Sequence, residues 1–315
     1  MNLLIKTTFL SDKTMQRYSN FIFIFFLATI ISVPSWAQIN RLNTSSMLEN
    51  LQKLSHDSSE GRRTGTDAAE AARRFIIEKM EDIGLKSLND DFRHPFNFTT
   101  RREDTIQAQN VVAYVEGERQ EIIVITAHYD HLGVRDNIIY NGADDNASGV
   151  AALLGLAEYF KTHKPSHTLI FAALDAEEMG LQGAKAFVND ESISQDMLKL
   201  NINMDMISMN DQNELYIAGT HHYPNLKSIV EQVKVQPLQL KFGHDSPDLG
   251  NDDWTNASDH GPFHAKGIPF LYFGVEDHEN YHKPTDDFEN VNQEFYIRAT
   301  HAILDCILAL DASLN

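Results

Sequence analysis

The sequence predicts an α/β fold of three layers, a largely parallel central sheet flanked by helices. Two observations predict it. Short apolar runs alternate with amphipathic helical stretches along most of the chain. Acidic residues and histidines recur where those apolar runs stop, and in open α/β sheets that edge is where ligands bind.

The clearest run is Thr168–Leu174, a buried strand that breaks off at Asp175. Glu177 and Glu178 follow, with Gly180 and Gly183 opening a helix over Leu181–Val188. Upstream, Asn43–Leu54 places Met47, Leu48, Leu51 and Leu54 at helical spacing. Thr66–Ile83 is a second helix, with Thr66 suited to cap it and Gly84 to end it. Ser58–Gly65 between them reads as a loop. Asn110–Val115 and Glu121–Thr126 read as strands paired through a Glu116-Gly117 turn. Then come a helix at Gly149–Phe160, strands at Leu200–Met206 and Glu214–Ala218, and a helix at Pro224–Val235 with Pro in its first turn. A strand at Ile268–Phe273 and a helix at Phe295–Leu310 close the chain.

The 315 residues are 42% hydrophobic and 23% charged, an ordinary globular make-up. The net charge of −19 argues against nucleic acid and anionic membrane surfaces, which need basic patches. Lys13 and Arg17 precede the apolar Phe21–Val33, and Ser35-Trp36-Ala37 resembles a cleavage site. Residues 1–37 are therefore expected to be a signal peptide and residues 38–315 a single domain. The apolar run is shorter than the ~20 residues of a membrane span, so no anchor is expected after cleavage. The expected location is the periplasm or outside the cell. Cys306 is the only cysteine, in an apolar helical pattern, so no intrachain disulfide forms.

Five short motifs carry candidate chemistry. In Ala127–Asp130, AHYD, His128 and Asp130 are two apart and point the same way in extended chain. A carboxylate beside a histidine fixes its tautomer as a metal ligand. Asn141–Gly149, NGADDNASG, opens a helix with more acids and amides than capping requires. One Asp turned inward there would bridge two metal ions. Glu177 and Glu178 could divide metal binding and proton transfer between them. Asp205 interrupts the apolar run Leu200–Ile207, and a charge in a buried strand needs a partner or a metal. His282 stands in Tyr281–Asp287, YHKPTDD, with no apolar periodicity to explain it. Singly, each has a bland explanation: a solvated acidic turn, a surface His-x-Asp, a good helix cap. Together, imidazoles and carboxylates suit zinc, and five donors with one shared can hold two ions.

The order AHYD, GADDNASG, DAEE, NMDM, YHKPTDD resembles the M28 family of co-catalytic di-zinc peptidases, which includes secreted bacterial aminopeptidases. EGRRTGT and SDHGPFHAKGIP add to the likeness, which spans nearly all of the expected mature chain. The resemblance implies a zinc-exopeptidase fold. It implies two zinc ions, one on His128 and Asp205, the other on Glu178 and His282, with Asp145 bridging. It makes Glu177 the general base, Asp130 the residue that orients His128, and Tyr281 a candidate oxyanion donor. It also implies a cis peptide after Asp145. The implied activity is release of N-terminal residues from peptide substrates.

Three alternatives stand beside it. A glutaminyl-cyclase-like acyltransferase on the same fold typically keeps one zinc. A carboxypeptidase-type member needs a basic pocket, for which Arg62, Arg63 and Arg135 are the loop arginines available, each more simply solvated. A non-catalytic binding module usually loses ligands, and here the set is intact. The Asp-rich stretch Gly243–Gly261 could hold calcium, but reads more simply as a surface loop bordering the site, with Trp254 and Phe263 lining a pocket or packing the loop. His260, His264 and His278 take no assigned role. The sequence is silent on oligomeric state and on the preferred N-terminal residue.

Overall fold

The computed structural model describes residues 41–314, so the expected signal peptide lies outside the described residues. Helix α1 (Thr44–Leu54) starts where the Asn43 side chain accepts the Ser46 amide. Helix α2 (Asp67–Ile83) starts where the Thr66 hydroxyl accepts the Ala69 amide, and ends at Gly84 with φ 77°. Side-chain caps satisfy amides that a first turn leaves unpaired, and a left-handed glycine ends a helix without a Cβ clash. Asp57–Arg62, which overlaps the expected Ser58–Gly65 loop, winds into a 3-10 turn.

Strands β1 (Lys86–Ser87), β2 (Arg93–Thr99), β3 (Thr105–Val115) and β4 (Ile122–His128) follow, then a small ribbon of β5 (Gly133–Arg135) and β6 (Ile138–Tyr140). Helix α3 (Gly149–Thr162), β7 (Thr168–Leu174), α4 (Gln182–Val188), β8 (Leu198–Met204) and β9 (Glu214–Ala218) come next. The chain continues through α5 (Pro224–Val230), β10 (Gln239–Phe242), α6 (His260–Ala265), β11 (Phe270–Gly274) and α7 (Gln293–Ser313). One mixed sheet runs β1-β3-β7-β4-β8-β11-β9-β10, with β2 on β3. At its centre β7, β4, β8 and β11 are parallel. Antiparallel β3 and β9 flank them.

The expected hairpin between Asn110–Val115 and the next strand does not form. Strand β3 pairs antiparallel with β7, and β4 lies on the far side of β7. The intervening turn instead crosses the start of β7, where the Glu118 and Arg119 amides donate to the Pro165 and Ser166 carbonyls. Strand β4 is apolar on both faces, so it is stable only with parallel neighbours on both edges and helices above and below. Its Ile123, Ile125 and Ala127 enter one core beneath α3, while Val124 joins Ile170, Ala172 and Leu174 in the other. The two cores are the two faces of the sheet. Among the described residues no helix is long and apolar enough to cross a membrane. Cys306 is buried as a free thiol.

Candidate metal centre

Parallel strands end on the same edge, and this topology gathers the motifs. His128 is the last residue of β4, Glu177 and Glu178 follow β7, Asp205 follows β8, and His282 lies in the loop after β11. Asp145 arrives from the irregular π-helical turn Ala143–Ser148 that leads into α3. His128, Asp145 and Asp205 converge as one donor group, and His131, Asp145 and Glu178 as a second. His128 Nε2 lies 3.2 Å from Asp205 Oδ1 and 3.3 Å from Asp145 Oδ1. His282 Nε2 lies 3.1 Å from Asp145 Oδ2 and 3.3 Å from Glu178 Oε1. Asp145 thus faces both groups, one oxygen to each.

His128, Glu178 and Asp145 are held from behind. His128 Nδ1 faces the Asp130 carbonyl at 3.1 Å, while the Asp130 carboxylate stands 3.7 Å away. That carboxylate accepts the Glu177 and Glu178 amides at 3.0 and 3.3 Å and the Thr64 hydroxyl at 3.2 Å. It therefore ties the end of β4 to the turn after β7. Asp144 and Asp145 divide their work. Asp144 is spent on the Ser208 amide (2.7 Å) and hydroxyl (2.8 Å) and on His278 Nε2 (2.8 Å). Asp286, in the YHKPTDD loop, accepts the Asp144 and Asp145 amides at 2.8 and 3.1 Å. The Asp145–Asn146 peptide is cis.

Arg62 corrects an expectation. It is wholly buried rather than solvated, and its guanidinium donates to the carbonyls of Tyr129 (2.8 Å), Leu54 (2.6 Å), Asn141 (2.6 Å) and Gly142 (2.9 Å). A planar fork with five donors suits backbone carbonyls that converge from three segments. Sequence reasoning also passed over His131, one residue beyond the AHYD motif. Its signal was present, a second histidine three residues after the first. It lies against Glu178 and Asp145.

The remaining histidines have local partners: His278 meets Asp144, His264 the Tyr223 hydroxyl, and His260 the Trp254 carbonyl. In the Asp-rich loop, Asp245 accepts the Gly219 and His221 amides and the Thr220 hydroxyl. Phe263 is packed in the core. Trp254 lines a cleft of about 110 Å³ together with Glu177, Asp205, Tyr272 and Tyr281. Tyr281 stacks on His282 with ring centroids 4.0 Å apart.

The acids and imidazoles of the cluster shift one another's proton affinities. Burial works to raise the pKa of Glu178, but the facing His131 and His282 imidazoles hold it at about 2. Hydrogen bonding to Asp145 and Glu178 raises His282 to about 10. Burial would lower His128, yet Asp205, Glu177 and Asp145 carry it well above its ordinary value. Glu177 is raised well above the carboxylate range, first by burial and then by Asp205, Asp259 and Asp130, against the pull of His128. Asp259 is pushed to about 7, again chiefly by burial, and both its oxygens lack a hydrogen bond.

The donors fit divalent metal ions. His131 Nδ1 and Glu178 Oε1 are buried, lie 3.0 Å apart and make no hydrogen bond. Lone pairs that converge without sharing a proton suit a cation between them, and mixed imidazole and carboxylate donors suit zinc.

Residues 110–307 match the profile of Peptidase family M28. The chain is 31% identical over 190 residues to aminopeptidase YwaD of Bacillus subtilis (strain 168), which covers 55% of this chain and 38% of that protein. It thus spans less than half the length of that curated relative. A solved leucine aminopeptidase precursor from Bacteroides thetaiotaomicron VPI-5482 superposes with a TM-score of 0.69, at 16% identity over 84% of this chain and 97% of that one. The glutaminyl cyclase of Porphyromonas gingivalis superposes with a TM-score of 0.68, at 16% identity over 85% and 98%. At such identities these two likenesses show the fold. The chain belongs to peptidase family M28.

Proposed function

We propose that this M28 family member is an exported zinc-dependent aminopeptidase holding two ions per chain and releasing N-terminal residues from peptides. The observation that carries the reading is the pair of donor groups sharing Asp145, one oxygen to each. His128 and Asp205 would hold one ion, Glu178 and His282 the other, and Asp145 both. A zinc pair held there supplies a water of lowered pKa and polarises a peptide carbonyl.

The chain's own groups do the rest. Glu177 lines the same cleft as Asp145, Asp205 and His282. It would take the attacking water's proton and hand one to the leaving amine. Its burial and acidic neighbours keep its proton affinity high, as a shuttle needs. Asp130 would act as a positioning residue, fixing the Glu177 and Glu178 amides and presenting its carbonyl to His128 Nδ1. Tyr281 would donate to the developing oxyanion. The acids of the cleft suit a free α-amino group, and Met206, Trp254 and Val275 suit an apolar N-terminal side chain. The 31% identity to a protein named an aminopeptidase supports the same direction.

One observation favours a carboxypeptidase-type reading. Arg63 and Arg135 line a second cleft of about 600 Å³ with Arg101 and Lys185, and it reaches Glu178. Those cations could receive a terminal carboxylate, or the far end of a short peptide held by an aminopeptidase.

The test uses one short peptide, free and N-acetylated, incubated with the zinc-loaded protein. Mass spectrometry reads which residue leaves, with Glu177→Gln alongside. Loss of the first residue from the free peptide alone, abolished in the variant, is the expected result. Loss from the far end moves the assignment to carboxypeptidase, and cyclisation of an N-terminal glutamine to an acyltransferase. Two ions bound with no peptide changed would favour a binding module. Export is tested on the protein from its native host: a mature N-terminus at Gln38 in the periplasm or medium is expected, and an intact Met1 on cytoplasmic protein would refute it.

A further inference from the structure

We infer that His131 Nδ1 is a further donor to the second ion, alongside Asp145, Glu178 and His282. The inference rests on the two-ion reading above.

His131 approaches the same two oxygens as His282. Its Nδ1 lies 3.0 Å from Glu178 Oε1 and 3.6 Å from Asp145 Oδ2. The distances from His282 Nε2 to these atoms are 3.3 and 3.1 Å. The two imidazoles meet edge-on, with centroids 5.9 Å apart. A nitrogen and an oxygen 3.0 Å apart ordinarily share a proton along the line between them. Here neither His131 Nδ1 nor Glu178 Oε1 is in a hydrogen bond, although both are buried. With an Asp145 oxygen, the two atoms lie close enough together to share one ion. His131 Nε2 is buried and unpartnered as well, so no hydrogen bond elsewhere sets the ring's orientation.

The ring also has a built seat. A Cβ at Gly142 would strike the His131 ring and the Asp145 carbonyl oxygen, and Gly142 holds φ 59°. The residue before the ADDNAS turn is therefore one without a side chain, and the imidazole occupies that room. A buried unpaired polar atom costs about 1–3 kcal/mol, so His131 Nδ1 and Glu178 Oε1, side by side, are stabilised by a cation that takes both lone pairs.

The two ions are then held unequally. His128, Asp145 and Asp205 give the first ion three side chains. The second has four, and among them His131 is fully buried while the His282 side chain is 39% exposed. The second site fills first and releases its ion last.

The test strips the protein with a chelator and titrates zinc back against a chromophoric competitor, for wild type, His131→Ala and His131→Asn. Wild type is expected to bind two ions, one more tightly. His131→Ala should weaken the tighter ion by about 100-fold or more and leave the other within about threefold. His131→Asn, whose side-chain oxygen stands near the Nδ1 position, should recover part of the loss. Two affinities unchanged in His131→Ala overturn the inference and leave the peptidase reading intact. Fewer than two ions on the wild type overturns both. If the variants do not fold, a crystal structure of the zinc-loaded wild type decides: Nδ1 at about 2.1 Å from the ion supports the inference, and a separation beyond about 3 Å overturns it.

Discussion

Arg62 Nη2 donates a 2.9 Å hydrogen bond to the carbonyl of Gly142, and through the same guanidinium the loop that carries Asp145 is tied to the strand end that carries His128. Burial lowers this guanidinium to about 10, although Asp286, Asp145 and Asp130 work to raise it. Replacing Arg62 by Met leaves four buried carbonyls short of a donor. The expected loss is about 3–5 kcal/mol in urea unfolding, together with weaker zinc binding. Lysine should not restore it, because one ammonium cannot span the fork. A loss below about 1 kcal/mol would contradict the clamp.

Glu177→Gln keeps the shape of the side chain and removes its proton affinity. It should lower kcat about 100-fold or more while the bound zinc, measured by elemental mass spectrometry, stays at the wild-type level. Loss of activity with equal loss of metal would instead make Glu177 a ligand.

Removing the metal should act on stability as well as activity. A ligand that binds only the folded chain stabilises it by about 4 kcal/mol at a thousandfold excess over its Kd. Chelation should therefore lower Tm by several degrees, and zinc should restore both Tm and activity. A Tm indifferent to chelator would argue that the donor groups bind no ion in solution.

His260 offers a pH-dependent test away from the proposed ligands. Burial lowers its pKa from 6.5 to about 4, against the Trp254 carbonyl that favours the charged ring. Its ring packs at a tilt against Phe270 and Tyr272, at centroid distances of 4.6 and 4.9 Å. The folded-state pKa is depressed, so the unfolded chain binds the proton first. The stability is fully present above pH 6.5 and is lost as pH falls from 6.5 toward 4, to a total of about 3 kcal/mol. His260→Gln, compared with wild type in urea at pH 7.5 and 4.5, should lose less stability on acidification. An equal loss in both proteins would place the pH dependence elsewhere.

Much of the fold was legible locally. Thr168–Leu174 is a strand in the sequence and in the structure, because a short, nearly all-apolar run with a β-branched start, bounded by Asp175, has few other uses. The caps at Asn43, Thr66 and Gly84 act through neighbours within four residues, so they too could be read. Strands β2 and β10 escaped notice. Arg93–Thr99 contains Pro95 and alternates half-buried with exposed positions, and Gln239–Phe242 is a four-residue edge. Such segments are strands because of the partner they pair with. The β3–β4 pairing was misplaced for the same reason, since β7, which separates them, comes later in the chain.

By itself the sequence determined the α/β class, the elements with strong periodicity, and the chain positions of the acids and histidines that follow strand ends. Those depend on side-chain type and spacing, which are local. Only the tertiary structure decided which of those side chains meet. It turned Asp145 toward the cluster and Asp144 toward Ser208 and His278. It buried Arg62 against the carbonyls of Tyr129 and Gly142 while the adjacent Arg63 stays exposed. It brought His131 against Glu178, 47 positions further along the chain. Contacts of that kind arise when parallel strands distant in sequence end on one edge of a sheet, and the order of the strands is set by burial over the whole domain.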